Sequence, residues 1–246
     1  MDILELLHYT FFQHALLGSL FASIACGIIG TYIVTRRLVF ISGGITHASF
    51  GGIGLGLYAG ISPLLSAAIF SVLSSFGVEW LSKRKDMRED SAIAVFWTFG
   101  MAVGIIFSFL APGFTPDLSA FLFGNILTVT LTEIFFAIIV FLTVVATVII
   151  LYDDLLAITF DEELARTMGV QTGKINTVLF LLTAVAAVLA MKVAGIMLVS
   201  AMLIIPPLTA LQLSLSFRMT IFTSIIFSVL SVILGITMAF LLNLPA

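Results

Sequence analysis

The chain has 246 residues, of which 61% are hydrophobic and 9% charged, with a formal net charge of -3 and a mean hydropathy of +1.27. Soluble domains carry about 25% charged residues, so the composition places this chain outside the soluble class, and its few charges form no basic patch for nucleic acid. Apolar residues run along its whole length, predicting one membrane domain over 1–246, and the lone cysteine, Cys26, excludes an internal disulfide or a cysteine-based metal cluster.

A spanning helix needs about 20 mostly apolar residues. Eight segments qualify, at about 11–35, 38–60, 62–81, 91–111, 131–151, 175–191, 193–213 and 219–242. They predict an all-α, polytopic transmembrane helical bundle. The N-terminal residues Asp2 and Glu5 are acidic where a signal peptide is positive, so the first segment is expected to remain as a span. His8 and His14 lie near the membrane surface, where a structural or incidental role is expected.

Lysine and arginine concentrate on the cytoplasmic side of membrane proteins. With the N-terminus outside, Arg36, Arg37, Lys83, Arg84, Lys85, Arg88, Arg166, Lys174 and Arg218 all fall inside, and only Lys192 falls outside. Lys192 is expected to snorkel or cap a helix end.

The second segment carries a stripe of small residues at every fourth position: Gly44, Ala48, Gly52, Gly56 and Gly60. Such a stripe lets helix backbones approach closely in lipid, predicting that this helix is packed among others. On the adjoining row lie Gly43, His47 and Gly51, with hydroxyls nearby at Ser42, Thr46 and Ser49. An ionisable group inside a span faces a partner or an aqueous path, so His47 either hydrogen-bonds across a helix interface or stands on a transport route. A neutral imidazole suits zinc, manganese or iron rather than magnesium or calcium.

Between the fourth and fifth segments, residues 111–117 (APGFTPD) form a turn-rich outer loop. It leads into 121–125 (FLFGN), where a short re-entrant or interfacial helix is expected. Glu79 and Glu133 sit near segment ends, within expected reach of water.

The longest cytoplasmic connection is 152–174, and its middle, 160–169, has the grammar of a short amphipathic helix. Thr159 or Asp161 can cap it, acids fill the first turn, Arg166 lies near the end and Gly169 can stop it. A solvated connector is the other reading. In the seventh segment, Pro206 and Pro207 are expected to break or kink their helix, as a hinge or as a static bend, because neither ring nitrogen can donate. The chain has no Walker A sequence, no H-E-x-x-H and no nucleophile elbow, so no enzymatic activity is expected, and any ATP must be hydrolysed by another chain.

These residues resemble the metal-ion permeases of ABC transporters, the group that includes zinc, manganese and iron importers. Residues 36–49 (RRLVFISGGITHAS) look like the family's second-helix motif, centred on a histidine followed by alanine. Phe123-Gly124-Asn125 is similar to its FG-[DN] signature, and 159–166 (TFDEELAR) with Gly169-Val170 to its FDPELA-x-x-x-G-[VI] loop. Residues 193–195 (VAG) through 203–210 (LIIPPLTA) look like its VGALLV-x-ALLIIPAATA segment.

The resemblance implies a permease subunit in a prokaryotic cytoplasmic membrane, working as a homodimer. It would import a divalent transition metal by alternating access, with no permanently bound cofactor. Cytoplasmic ATP-binding subunits would engage the loop through Phe160, Asp161, Glu163, Ala165, Arg166 and Gly169, and an extracytoplasmic metal-binding protein would deliver the ion. His47 would line the path, with Ser42, Thr46 and Ser49 as helpers. Two departures stand out: Gly43 occupies the position where many members carry an aspartate four residues before the histidine, and 242–246 (LNLPA) resembles a turn after which the family has a final helix. Alternatives are an ABC permease for a metal chelate, an ion-coupled secondary transporter, which the scarcity of mid-membrane carboxylates disfavours, and a purely structural membrane subunit.

Overall fold

The computed structural model describes residues 9–85, 87–112, 119–124 and 129–242. Ten helices follow one another among them: α1 (Thr10–Thr35), α2 (Val39–Ala59), α3 (Pro63–Lys85), α4 (Glu89–Leu110), α5 (Ser119–Phe123), α6 (Leu131–Ile150), α7 (Tyr152–Phe160), α8 (Glu162–Thr167), α9 (Thr172–Leu213) and α10 (Phe217–Leu241). His8, Asn125 and most of the 111–117 and 242–246 turns lie outside the described residues.

Among the described residues, seven stretches, two of them within α9, are long and apolar enough to cross a membrane. The chain is thus a polytopic, all-helical membrane protein. The eighth expected span, α2, has 21 residues, about 31 Å at 1.5 Å per residue, but falls outside that apolar set. The reason is its composition, since glycines, hydroxyls and His47 lower its hydropathy; Gly44, Thr46, Ala48, Ser49, Gly52 and Gly56 are all buried, so protein rather than lipid surrounds them.

The core is built from α1, α2 and the first half of α9. In α1, the most apolar window is 78% buried, against 17% in α10. Ser19, Ser23 and Thr31 keep α1 compatible with burial by donating to the carbonyls of Leu16, Leu20 and Gly27, so none of these three hydroxyl protons is left unpaired in an apolar interior. Across the interface with α10, Ser224 Oγ donates to the Gly27 carbonyl at 2.9 Å. The outer helices turn Phe109, Ile150 and Phe222 outward, which suits acyl chains. Thr130 and Glu133 close a reciprocal capping box on α6, so Glu133 satisfies a helix start.

Gly44 and Ala48 of the small-residue stripe meet α4, while Gly52 and Gly56 meet α3. A β-carbon on Gly44 would lie 2.0 Å from Ile93 Cγ2, and one on Gly52 would lie 2.3 Å from the Ser66 carbonyl oxygen. Gly60 does not extend this packing. It is the left-handed cap of α2, with φ 68° and open space around it, because the chain must turn there into α3.

The break expected at Pro206 and Pro207 falls earlier in α9. Both prolines are helical, and the residue with non-helical backbone is Gly195. Proline's fixed φ is itself helical, and the carbonyl of Leu203, which Pro207 cannot serve, is where Gly30 of α1 packs. A β-carbon on Gly30 would lie 2.2 Å from that oxygen, close enough for its Cα–H to offer partial compensation.

Candidate metal path and coupling face

The helix bearing His47 starts from a strained turn. Arg36 caps α1, and Arg37 adopts φ 61°. Leu38 N–H bonds the carbonyl of Ile33 and Arg37 N–H that of Val34, which makes a Schellman turn with arginine where glycine is usual. Two turns into α2, the His47 ring stacks on Trp97 of α4, with centroids 4.5 Å apart and planes 3° from parallel. Its Nδ1 is buried and has no hydrogen-bond partner among the described residues. Among the described residues, Nδ1 thus makes no cross-helix hydrogen bond.

Gly43, one turn before His47, looks toward the same aromatic wall. A β-carbon there would meet Trp97 Cζ3 at 3.7 Å and Ser200 Cβ at 4.0 Å, ordinary contacts that leave room for a side chain. Gly43, His47, Trp97 and Ser200 thus join α2, α4 and the second half of α9 around one locus. The expected helpers, Ser42, Thr46 and Ser49, are buried and donate their hydroxyl protons to carbonyls of their own helix, those of Val39, Ser42 and Thr46; Ser49 also touches Met191 Sδ at 3.3 Å. None of these bonds involves His47. Among the described residues, no cluster of three or more His, Cys, Asp or Glu side chains is placed to hold a metal ion.

At the far end of the bundle, the connection between α6 and α9 forms two helices rather than one. Phe160 ends α7, and Asp161 caps α8 by accepting from Leu164 N–H at 2.9 Å. Gly169, at φ 90°, closes α8 with a second Schellman turn: its N–H bonds Arg166 O, and Val170 N–H bonds Ala165 O. Ala165 is buried, whereas Glu163 and Arg166 are exposed. Phe160, Leu164 and Met168 are 67%, 56% and 73% exposed, three apolar side chains displayed around α8, with the Phe160 ring edge-on to Phe217 at 5.8 Å.

Beneath this face lies a polar network that sequence reasoning missed. Arg36 donates to Glu162 Oε2 at 2.8 Å and to Asn176 Oδ1, and Asn176 Nδ2 donates to Glu162 Oε1 at 3.0 Å. Glu79, expected to reach water, is instead 7% exposed. Its carboxylate accepts from Lys83 and from the Thr177 hydroxyl, tying α3 to α9. A lone glutamate near a segment end carries no sign of such a partner, which stands 98 residues away.

A multi-span bundle with one histidine on a glycine-rich inner helix, and a short capped helix displayed at one end, defines a membrane transport subunit by its class. Residues 8–246 match the ABC 3 transport family, and the chain belongs to that family. It is 39% identical to a Chlamydia trachomatis protein named "Probable metal transport system membrane protein", over 94% of this chain and 81% of that one. It is 33% identical to the manganese transport system membrane protein MntC of Halalkalibacterium halodurans, over 94% of this chain and 80% of the relative. Among solved structures, PsaBC from Streptococcus pneumoniae, in complex with Fab, superposes with a TM-score of 0.88 at 29% identity, covering 99% of this chain and 89% of that one.

Proposed function

We propose that this chain is the permease subunit of an ABC importer that moves a divalent transition metal, manganese in the first instance with zinc and iron as further candidates, by alternating access. The observation that carries the reading is His47: a nitrogen ligand for transition metals with an unpartnered, buried Nδ1, held flat by Trp97 at the meeting of three helices. The manganese systems among its relatives put that metal first. One imidazole with water or carbonyl oxygens makes a weak site, and a transit site must release its ion.

The whole chain, 1–246, acts in this reading as one permease domain in a prokaryotic cytoplasmic membrane, with the N-terminus outside and the 152–174 connection inside. Two copies assemble, and separate ATP-binding subunits grip the exposed side chains of Phe160, Leu164 and Met168 beside Asp161, Glu163 and Arg166. An extracytoplasmic binding protein supplies the ion. This chain contributes the path, and the partner subunits contribute the hydrolysis.

The test is reconstitution with the ATPase and binding protein in liposomes. ATP-driven manganese uptake is expected, with His47→Ala abolishing it; uptake by His47→Ala at the wild-type rate would remove the imidazole from the path. Competition by free zinc separates an ion importer from a chelate permease.

A further inference from the structure

We propose that the Arg36–Glu162 ion pair is the positioning link through which movement of α8 reaches the helix that carries His47. The inference rests on the transport reading above and adds to it two residues, neither of which touches the metal path.

The attachment of α8 to the rest of the bundle is small. The helix has six residues, with Ala165 as its buried member, so apolar packing gives it little hold. Glu162, its first residue, makes up for this with both carboxylate oxygens: Oε2 accepts from Arg36 and Oε1 from Asn176, while Arg36 also donates to Asn176. Three elements are closed into one triangle: the end of α1, the start of α8 and the second turn of α9. The Arg36 side chain is 10% exposed, so water competes poorly for these bonds, and charge-assisted bonds of this kind are both strong and directional.

What lies next to Arg36 gives the triangle its consequence. The following residue is Arg37 at φ 61°, a left-handed position costing a non-glycine residue about 1–2 kcal/mol, and α2 begins at Val39. A pull on the Arg36 guanidinium therefore acts on a turn that is already strained and is only a few residues from the rigid rod bearing His47. Displacement of α8 by a partner would be passed to α2 without crossing the α9 core. Arg166 approaches the same carboxylate at 4.0 Å from an exposed position, which makes it a minor contributor.

Asn176 Oδ1 still accepts from the Arg36 guanidinium when Glu162 is neutralised, and glutamine has the shape of glutamate, so Glu162→Gln is expected to fold.

The experiment uses the full complex in liposomes, measuring manganese moved per ATP hydrolysed for wild type, Glu162→Gln, Glu162→Asp, Arg36→Gln and the Arg36→Gln/Glu162→Gln double variant. Both single glutamines are expected to keep ATP hydrolysis while lowering ions per ATP about fivefold or more, the lower end of ordinary coupling between sites. Glu162→Asp should recover most of the ratio, and the double variant should be no worse than the poorer single, as residues acting through one another require. A wild-type ratio in Glu162→Gln, or losses that multiply in the double variant, would overturn the link. If the wild-type complex moves no manganese, the transport reading fails by itself. The link is then read from ATP-driven thiol labelling of Gly43→Cys in a Cys26→Ala background: loss of the ATP effect in Glu162→Gln supports the link, and its persistence refutes it.

Discussion

Gly195 and Gly124 meet backbone to backbone: a β-carbon on Gly195 would lie 2.3 Å from the Gly124 nitrogen, and both residues have positive φ, 77° and 78°. The interruption of α9 and the end of α5 are thus one structural feature, assembled from two sequence motifs far apart in the chain. Gly195→Ala is expected to lower the melting temperature in detergent, with about 1–3 kcal/mol from the backbone conformation alone and more from the overlap. Gly235→Ala, in open space on α10, is the control; it should be neutral or stabilising by up to about 1 kcal/mol. Equal melting of Gly195→Ala and wild type would refute the packing argument.

The crossing of α2 and α4 makes a second contrast. A β-carbon on Gly54 would lie 2.2 Å from the Gly104 carbonyl oxygen, while one on Gly43 finds its nearest neighbour at 3.7 Å. Gly54→Ala is expected to destabilise by about 1–3 kcal/mol through overpacking, and Gly43→Ala to stay within about 1 kcal/mol of wild type. Thermal unfolding of the two proteins side by side decides it; the reverse order would contradict the geometry.

Because position 43 has room, a carboxylate can be placed one turn before His47 on the same face. Gly43→Asp should fold normally and bind manganese at least about tenfold more tightly, or 1.4 kcal/mol, by calorimetry on the purified complex. Transport should slow as release becomes harder. Unchanged affinity would mean that the ion does not pass this locus.

Trp97 holds His47 by stacking, an interaction of about 0.5–1.5 kcal/mol. Trp97→Ala should reduce manganese uptake roughly two- to tenfold, the same energy expressed as a rate, while Trp97→Phe retains most of it. An alanine variant with full uptake would show that the ring's orientation is immaterial.

Gly169 has nothing within 4 Å of its missing side chain, yet its φ is 90°. Substitution there is opposed by conformation rather than by contact. Gly169→Val is expected to cost about 1–2 kcal/mol, to open the turn that closes α8 and to weaken copurification of the ATPase. Gly169→Asn, tolerated in left-handed backbone, should behave nearly as wild type. If valine matched asparagine in pull-down and uptake, the turn would have no part in coupling.

The positions of the spanning helices were legible because about 20 apolar residues in a row have no other use, and observed ends such as Thr10–Thr35 and Leu131–Ile150 fall close to those expected. The small-residue stripe was legible for a related reason: spacing by four places residues on one helical face whatever the neighbours are. Gly60 shows where that reasoning stops, since periodicity continues past the residue at which the helix ends. At Pro206 and Pro207 the backbone stays helical because proline's fixed φ suits a helix; the non-helical residue is Gly195, where α5 occupies the adjoining space.

The chain's own pattern thus determined the membrane class, the helices, the place of His47 on a small-residue helix and the short capped helix in the 160s, since hydropathy and periodicity are local properties. Only the tertiary structure decided that His47 faces Trp97 and that Glu162 is bound to Arg36, 126 residues away. Such contacts depend on which helix faces meet in space, and no local spacing encodes the identity of a partner on another helix.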